Sequence, residues 1–414
     1  MKASNRARFA FILPWSITHT GGVNEVVRCL MRECSRNGAY DPILVENCWE
    51  APVLVEKNTS GVKNVSLRMR SPWEEGRSLR AFVAWLLFLP LTVIRLRQLT
   101  RRYNIQVLNA HFPDLYCLNL ILLKRLFLFR GSIILSFHGS DIRGAYSLGA
   151  WPRWLWKRML RNVDFLVSCS ADLGGEITAF DPSCQERLRV IHNGVDVEAF
   201  HAEADSNFVL PGELAEKRVI LSIGAFLYWK AHDVLLRAFA SLQGNHRDLV
   251  LLVIGARRTE FERTQALVRE LGLSDKVFLL TNIPHNRIPV YLGGARVFVL
   301  PSRWQPGVFG EGFPVAVLEA AAAGVPVVAA ATCGVGELVE DGISGRMVAC
   351  EDVVALAAAI CEVLENPERA RRWNVNLQER VRESFTWSRA LQQYLRLSPA
   401  VHPEGLGAGA KDVL

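Results

Sequence analysis

The feature that most constrains this 414-residue chain is an alternation that runs its whole length. Short apolar, β-branched runs follow one another, each separated from the next by a stretch with helical spacing. Strands that alternate with helices need crossover connections, and these build parallel sheets flanked by helices. The first half offers Phe9–Leu13, Ile43–Glu46, Val107–Ala110, Ile133–Phe137, Phe165–Cys169 and Arg189–His192 as strands. The second half starts the pattern again with Val219–Gly224, Leu249–Gly255, Val277–Leu279, Val297–Leu300, Val325–Ala329 and Arg346–Val348. Helices are expected over Val354–Leu364, Pro367–Ser384 and Trp387–Leu397, the last capped by Thr386 or Ser388.

Between the halves, Ala202 to Leu214 is polar, contains Pro211 and Gly212, and lacks periodicity. The expected organisation is an α/β domain over 1–205, a second over 206–380, a further helix over 381–397, and a disordered tail over 398–414. The tail holds Gly405-Leu-Gly407-Ala-Gly-Ala410, a formal dinucleotide fingerprint. With no strand before it and no helix after it, the match reads as chance.

Composition narrows the partners. Hydrophobic residues are 50% and charged residues 21%, a globular balance, and the net charge of +7 is unevenly placed. From Arg77 to Arg161 there are 14 Lys and Arg against two acids, Asp114 and Asp141. Such a surface suits an anionic lipid or polymer; no DNA- or RNA-recognition module accompanies it, so nucleic acid is not an expected partner. The uncharged stretch Ala81–Ile94, 14 residues with Pro90 inside, is shorter than the roughly 20 apolar residues that span a bilayer. It reads either as a core helix or, given its arginine flanks, as a membrane-surface element. Trp151-Pro-Arg-Trp-Leu-Trp-Lys-Arg-Met-Leu-Arg161 mixes three Trp with four cations, the composition of an interfacial helix. The nine cysteines include no C-x-x-C pair, so neither a zinc site nor a disulfide framework is expected, and the protein reads as cytosolic or peripheral on the inner membrane face. The basic start is followed by an apolar run broken at Pro14, which reads as a first strand, Arg8–Leu13, rather than a signal peptide.

In open parallel sheets, ligands bind beyond the carboxyl ends of the strands, so the turns there carry the chemistry. After the first strand come Gly21 and Gly22, then a helix: a tight turn, or a place where backbone N–H groups meet an anion. The fourth strand runs into His138-Gly139-Ser140-Asp141, directing His138 into the cleft, either as a hydrogen-bonded structural histidine or as a reacting group. Asn193-Gly194-Val-Asp196 closes the first half with a turn suited to positive φ at Gly194. Lys230 follows the first strand of the second half, where an ammonium can neutralise a diphosphate. The most specific stretch is Pro301-Ser-Arg303-Trp-Gln-Pro-Gly-Val-Phe-Gly-Glu311-Gly312-Phe313-Pro314-Val315-Ala-Val-Leu-Glu319. A helix starting near Pro314 aims its N-terminus at an anion, with Glu311 and Glu319 on either side. Two carboxylates flanking a phosphate site match a nucleotide sugar, which has a polyol at each end.

These motifs resemble the retaining, nucleotide-sugar-dependent group 1 glycosyltransferases over residues 8 to about 397. The likeness is carried by Gly21-Gly22, His138-Gly139, Asn193…Asp196, Gly224…Lys230, Pro301-Ser302, the Glu311–Glu319 pair and Gly334…Glu337. The resemblance implies the GT-B architecture, two Rossmann-like domains facing across a cleft, and a helix opened by Trp387 that crosses back to the first domain. It implies that Glu311 binds the donor sugar and Glu319 the ribose. Gly22, Lys230 and the helix after Pro314 would hold the diphosphate, with Gly21, Gly312, Phe313 and Val315 around the donor. His138 would lie beside the anomeric centre or O6; Asp141, Asn193 and Glu337 are further candidates. No metal or cofactor is implied, in keeping with the lack of a D-x-D pair. The expected partners are a UDP- or GDP-sugar, a glycan or glycolipid acceptor and an anionic membrane surface. Three features depart from the pattern: Ala225 stands where a second phosphate-binding Arg is usual, with Arg303 as a possible substitute; Trp304 and Gln305 lengthen the loop before Glu311; and Pro314 replaces a frequent Gly. A nucleotide-sugar epimerase and a non-catalytic sugar-nucleotide-binding subunit are the alternatives.

Overall fold

The computed structural model describes residues 7–19, 21–48, 55–59, 62–204, 217–244, 246 and 248–398. The expected tail beyond Ser398, with its fingerprint match, and most of the polar stretch between the halves lie outside these residues.

Among the described residues the strands form two sheets. The first holds β1 (Arg8–Leu13), β2 (Asp41–Glu46), β3 (Val55–Thr59), β4 (Val62–Ser66), β5 (Ile105–His111), β6 (Ser132–Phe137), β7 (Phe165–Ser168) and β8 (Leu188–Val190), in the order β3-β4-β2-β1-β5-β6-β7-β8. All neighbours pair in parallel except β3, which is antiparallel to β4 at the edge. The second holds β9 (Arg218–Ile223), β10 (Leu249–Ile254), β11 (Val277–Leu280), β12 (Ala295–Leu300), β13 (Val327–Ala330) and β14 (Arg346–Val348), all parallel, in the order β11-β10-β9-β12-β13-β14. The expected α/β class with two parallel sheets is what the chain adopts. β6 and β10 are buried along their full length, as strands covered by helices on both faces must be. The edge hairpin β3–β4 was not legible, because Val-Glu-Lys-Asn-Thr offers no alternation to read.

Each sheet has one point where the order reverses. β1 lies between β2 and β5, and β9 lies between β10 and β12. Crossovers leave such a point toward opposite faces, which opens a crevice at the carboxyl ends. The turn after β6 meets the loop after β12, with Gly139 against Gly312.

Two local expectations are corrected. The apolar stretch around Pro90 is not a 14-residue element but the middle of a 25-residue helix, Ser78–Arg102, because Leu, Arg and Gln on its flanks are good helix formers. Gly194 does not adopt the left-handed conformation expected of the turn. Its lack of a side chain serves a close crossing instead: a Cβ there would lie 2.3 Å from the Trp387 nitrogen. Val195 N–H donates to Phe385 C=O at that crossing (2.9 Å). The helix Trp387–Arg396, capped by Thr386 Oγ1, then packs Trp387, Leu391 and Tyr394 into the core around Phe9 and Phe11 of β1. The end of the chain thus ties the two halves together.

Candidate active site

The loop after β12 leads into the helix Val315–Ala322. Its first N–H groups, those of Val315 and Ala316, have no partner within the helix and carry its positive dipole end. Glu319 is the fifth residue of that helix and is buried. Lys230 ends the single turn Tyr228–Lys230 after β9 and places Nζ 2.6 Å from Glu311 Oε1. Ser302 Oγ donates to the same oxygen at 2.7 Å. Burial pushes the Glu311 carboxyl up, but the Lys230 charge and the two donated hydrogen bonds outweigh it and leave the group below its usual range. Glu311 is therefore an anion at neutral pH. Gly224 is what lets Lys230 fold back, since a Cβ there would meet Lys230 Cδ at 2.9 Å.

Across the cleft, Gly21 and Gly22 open the helix Gly22–Asn37. A Cβ on either would meet nothing within 4 Å, so no packing demand explains the pair. The space they leave open is the space an anion at the helix N-terminus needs. Asn24, buried, holds the preceding loop by donating Nδ2–H to Ser16, Ile17 and His19 carbonyls at 3.1, 3.1 and 2.7 Å. Glu25 on the same helix faces His285 Nδ1 at 3.5 Å, and His285 Nε2 lies 2.7 Å from Glu319 Oε1. Burial lowers His285, but Glu319 and Glu25 more than compensate, so it protonates more readily than a free histidine.

His138 follows β6, and a relay fixes its state. Ser136 Oγ donates to Asn109 Oδ1 (2.8 Å), which turns the Asn109 amide NH2 toward His111 Nε2 (3.0 Å). His111 then carries its proton on Nδ1 and donates it to His138 Nε2 (3.1 Å). Burial holds His138 down at about 4, and burial with the neighbouring His138 holds His111 well below the ordinary value. His138 is thus neutral, its Nε2 occupied and its Nδ1–H left as a hydrogen-bond donor. Asp141 shapes the turn, accepting from the His138, Gly139 and Ile142 N–H groups at 2.8, 2.9 and 2.9 Å. Burial raises Asp141 to about 6 despite those bonds.

The remaining candidates build the seam between the halves. Gly312 lies against His138, where a Cβ would sit 2.0 Å from the carbonyl oxygen, and its own C=O accepts from Ser170 Oγ at 2.7 Å. The Phe313 ring packs on His192 and Phe385, with centroids 5.0 and 5.7 Å away. Glu337 accepts from the Ala171 N–H (2.8 and 3.1 Å) and contacts His192 Nε2 (2.6 Å), next to buried Asn193. Arg303 is drawn away from the proposed phosphate position: its guanidinium is shared between Asp233 (2.9 and 2.7 Å) and Glu351 (2.7 Å) and lies over Tyr228. Two carboxylates therefore already balance its charge.

Sequence reasoning missed three groups. His285 and His111 stand on turns and strands with no motif around them. The third is a buried, bidentate ion pair between Arg143 and Glu176 (2.8 Å for both bonds). Glu176 also accepts from Trp304 Nε1 (3.2 Å) and Gly307 N (3.1 Å), and Arg143 donates to the Gly310 carbonyl (2.7 Å). The lengthened loop is therefore clasped by the first domain. Only the position of Arg143, two residues after Asp141, hinted at this. One trio of metal-type donors exists among the described residues, His246, Cys361 and Glu365, at the amino end of β10. His246 Nδ1 accepts from Arg218 there (3.2 Å), which puts the proton on Nε2, the atom that faces Cys361.

Two facing Rossmann-like domains with glycine-rich and charged turns at both switch points make up the GT-B architecture. Residues 207–380 match the model described as "Glycosyl transferases group 1", and residues 20–199 match "Glycosyltransferase Family 4". The chain belongs to the group 1 glycosyltransferases. It is 28% identical over 259 residues to the GDP-mannose-dependent alpha-(1-6)-phosphatidylinositol monomannoside mannosyltransferase of Mycolicibacterium smegmatis, covering 62% of this chain and 66% of that protein. It is 31% identical over 253 residues to a glycogen synthase of Mycobacterium tuberculosis, covering 60% and 57%. The matches thus span somewhat under two thirds of these relatives. Among solved structures, sucrose-phosphate synthase from Thermosynechococcus elongatus superposes with a TM-score of 0.74 at 22% identity, over 94% of this chain and 98% of that one. Anabaena Alr3699/HepE in complex with UDP gives 0.72 at 17% identity over 94% and 98%. At those identities the likeness speaks for the fold.

Proposed function

We propose that this chain transfers a hexose, with retention of anomeric configuration, from a UDP- or GDP-sugar to a lipid-linked or polysaccharide acceptor in cell-surface glycan synthesis. The observation that carries the reading is the cradle: a helix N-terminus and Lys230 between two carboxylates, Glu311 and Glu319, facing an open Gly21-Gly22 turn. Lys230 and the Val315 and Ala316 N–H groups neutralise the departing diphosphate, which is where charge develops as the C1–oxygen bond breaks. Glu311 accepts from the sugar hydroxyls and Glu319 from the ribose hydroxyls, where His285 now sits. The His138 Nδ1–H donates to a sugar oxygen near the reacting carbon. No side chain stands as an obvious nucleophile, so the leaving phosphate serves as base for an acceptor held on the same face. The chemistry needs no metal in this reading. The protein works in the cytoplasm or on the inner face of the membrane, with an anionic lipid surface as a partner.

The test is thermal unfolding of the wild type and of Glu319→Ala with UDP, GDP and their sugars. A nucleotide at about 100 times its dissociation constant adds about 2.7 kcal/mol to the wild type. Loss of that shift in the variant is the expected result; an equal shift in both removes Glu319 from the site.

A further inference from the structure

The helix Ser78–Arg102 is apolar on the wrong side. Its inner face buries Val93, Leu96 and Leu99, as a core helix should. Its outer face exposes Leu79 (76%), Val83, Leu86, Leu87 (73%) and Ile94. At 3.6 residues per turn these five fall, with Pro90, within an arc of about 100°. A solvated helix places charge there. This row continues onto a second element. The helix Ala150–Leu160 buries Leu155, Trp156 and Met159 and turns Trp151, Trp154 and Arg158 outward, at the i, i+3, i+7 spacing of one face. Phe82 and Trp151 meet edge to face at 5.5 Å and join the two surfaces.

We infer that these two helices form one docking face for an anionic bilayer. This inference rests on the glycosyltransferase reading above and names the surface on which its acceptor is carried. Charge selects the occupant. Neither helix contains a single acid, while Arg80, Arg95, Arg97, Arg101 and Arg102 belong to the first and Arg153, Lys157 and Arg158 to the second. Apolar residues in the middle, arginines toward the ends and tryptophans at the edge are what a headgroup region accommodates: tails beneath, phosphates beside, indoles between. By length and composition alone the helix could cross a membrane. Its buried residues Thr92, Val93, Leu96, Leu99 and Thr100 and the Trp85 Nε1–Asn119 Oδ1 bond (3.1 Å) nevertheless hold it against the first domain. It therefore lies along the surface rather than crossing it.

The same face lies close along the chain to the seam between the halves. Only residues 147–149 separate the second helix from the helix Ser140–Tyr146, which begins next to Gly139. Tyr146, Ser147, Glu176, Trp304 and Val308 line a cavity of about 1070 Å³ there, beside the His138–Gly312 seam. Tyr146 and Ser147 thus link the docking helix Ala150–Leu160 to that cavity. The acceptor is borne by the lipid surface.

Flotation with vesicles of 30% phosphatidylglycerol in phosphatidylcholine at low salt tests this. The wild type should float with them, at least tenfold less with pure phosphatidylcholine, and Leu79→Ser/Leu87→Ser/Trp154→Ser should lose flotation at least tenfold. These three side chains are exposed, so the variant keeps its fold, which an unchanged melting temperature verifies. Wild type that stays unbound at low salt overturns the inference, as does a variant that floats equally well. A concentration-dependent dimer that the triple variant abolishes, without vesicle binding, assigns the face to a second copy and overturns it too. Nucleotide binding is read separately: vesicle binding without any nucleotide-induced shift leaves this surface standing and removes the proposed UDP- or GDP-sugar donor instead.

Discussion

Replacing Gly312 by alanine puts a methyl group into the backbone of the opposite domain. The new Cβ would lie 2.0 Å from the His138 carbonyl oxygen, 2.7 Å from its carbon and 3.0 Å from Cys169 Sγ. Reaching even 3.0 Å from that oxygen, a distance real Cβ atoms hardly ever undercut, needs a shift of at least about 1 Å. The clash is with main chain, so no rotamer change relieves it and the seam itself must open. One continuous buried cluster runs through the seam, with Cys169 on one side and Phe313 on the other. The cost therefore falls both on the alignment of His138 with Glu311 and on stability. A 1 Å misplacement of reacting groups lowers turnover about a hundredfold, equivalent to about 2.7 kcal/mol of barrier. The assay is turnover of the donor nucleotide sugar, with the nucleotide-induced thermal shift as a control for the cradle. Gly312→Ala should retain the shift and lose turnover. Wild-type turnover in this variant would refute the idea that the closed seam assembles the site.

Lys230→Met removes the partner of a buried carboxylate and should destabilise the protein by about 3 kcal/mol in urea denaturation, with nucleotide binding lost; breaking such pairs is costly because one charge stays behind. Arg303→Met should also destabilise, yet leave the affinity for UDP or GDP within about threefold, because Asp233 and Glu351 hold that side chain; a hundredfold loss would make Arg303 a phosphate ligand after all. Tyr394→Phe removes the 3.0 Å contact with Ser136 Oγ at the root of the His138 relay and should cost about 1 kcal/mol, with a larger drop in turnover than in donor affinity. The His285 bridge has a pH signature. Its folded value is raised, so its stabilising contribution is complete below the ordinary histidine value near 6.5 and fades as pH rises through the higher folded value. Apo wild type should therefore lose stability relative to His285→Gln on going from pH 6 to pH 8, and parallel melting curves would remove the bridge.

Much of the scaffold was legible because strands and helices leave periodic traces. Apolar runs located every strand of both sheets except the β3–β4 hairpin, whose stability comes from pairing with β2 rather than from its own pattern. Boundaries drifted by a residue or two at strands such as β5 and β8. The turns with Gly21, His138, Lys230 and Glu311 stood out because glycine and charge next to a strand end are rare without a reason. What stayed hidden is set by tertiary proximity. Nothing near Glu176 in sequence shows that Arg143 reaches it, and nothing near His285 shows that Glu25 and Glu319 converge on it from two domains. Gly194 shows the limit from another side: its importance was visible, but the reason is a chain crossing 192 residues downstream at Thr386, not the turn itself. Arg303 had the right charge next to the right loop, and its acidic neighbours were too far along the chain to be seen.

The central claim is the location of the diphosphate, and a crystal structure with an intact UDP- or GDP-sugar tests it most directly. The expected density places the pyrophosphate on the first turn of the helix Val315–Ala322 beside Lys230, with the ribose on Glu319 in place of His285 and the hexose on Glu311. A nucleotide sugar bound elsewhere, with that turn vacant and Lys230 still on Glu311, would contradict it.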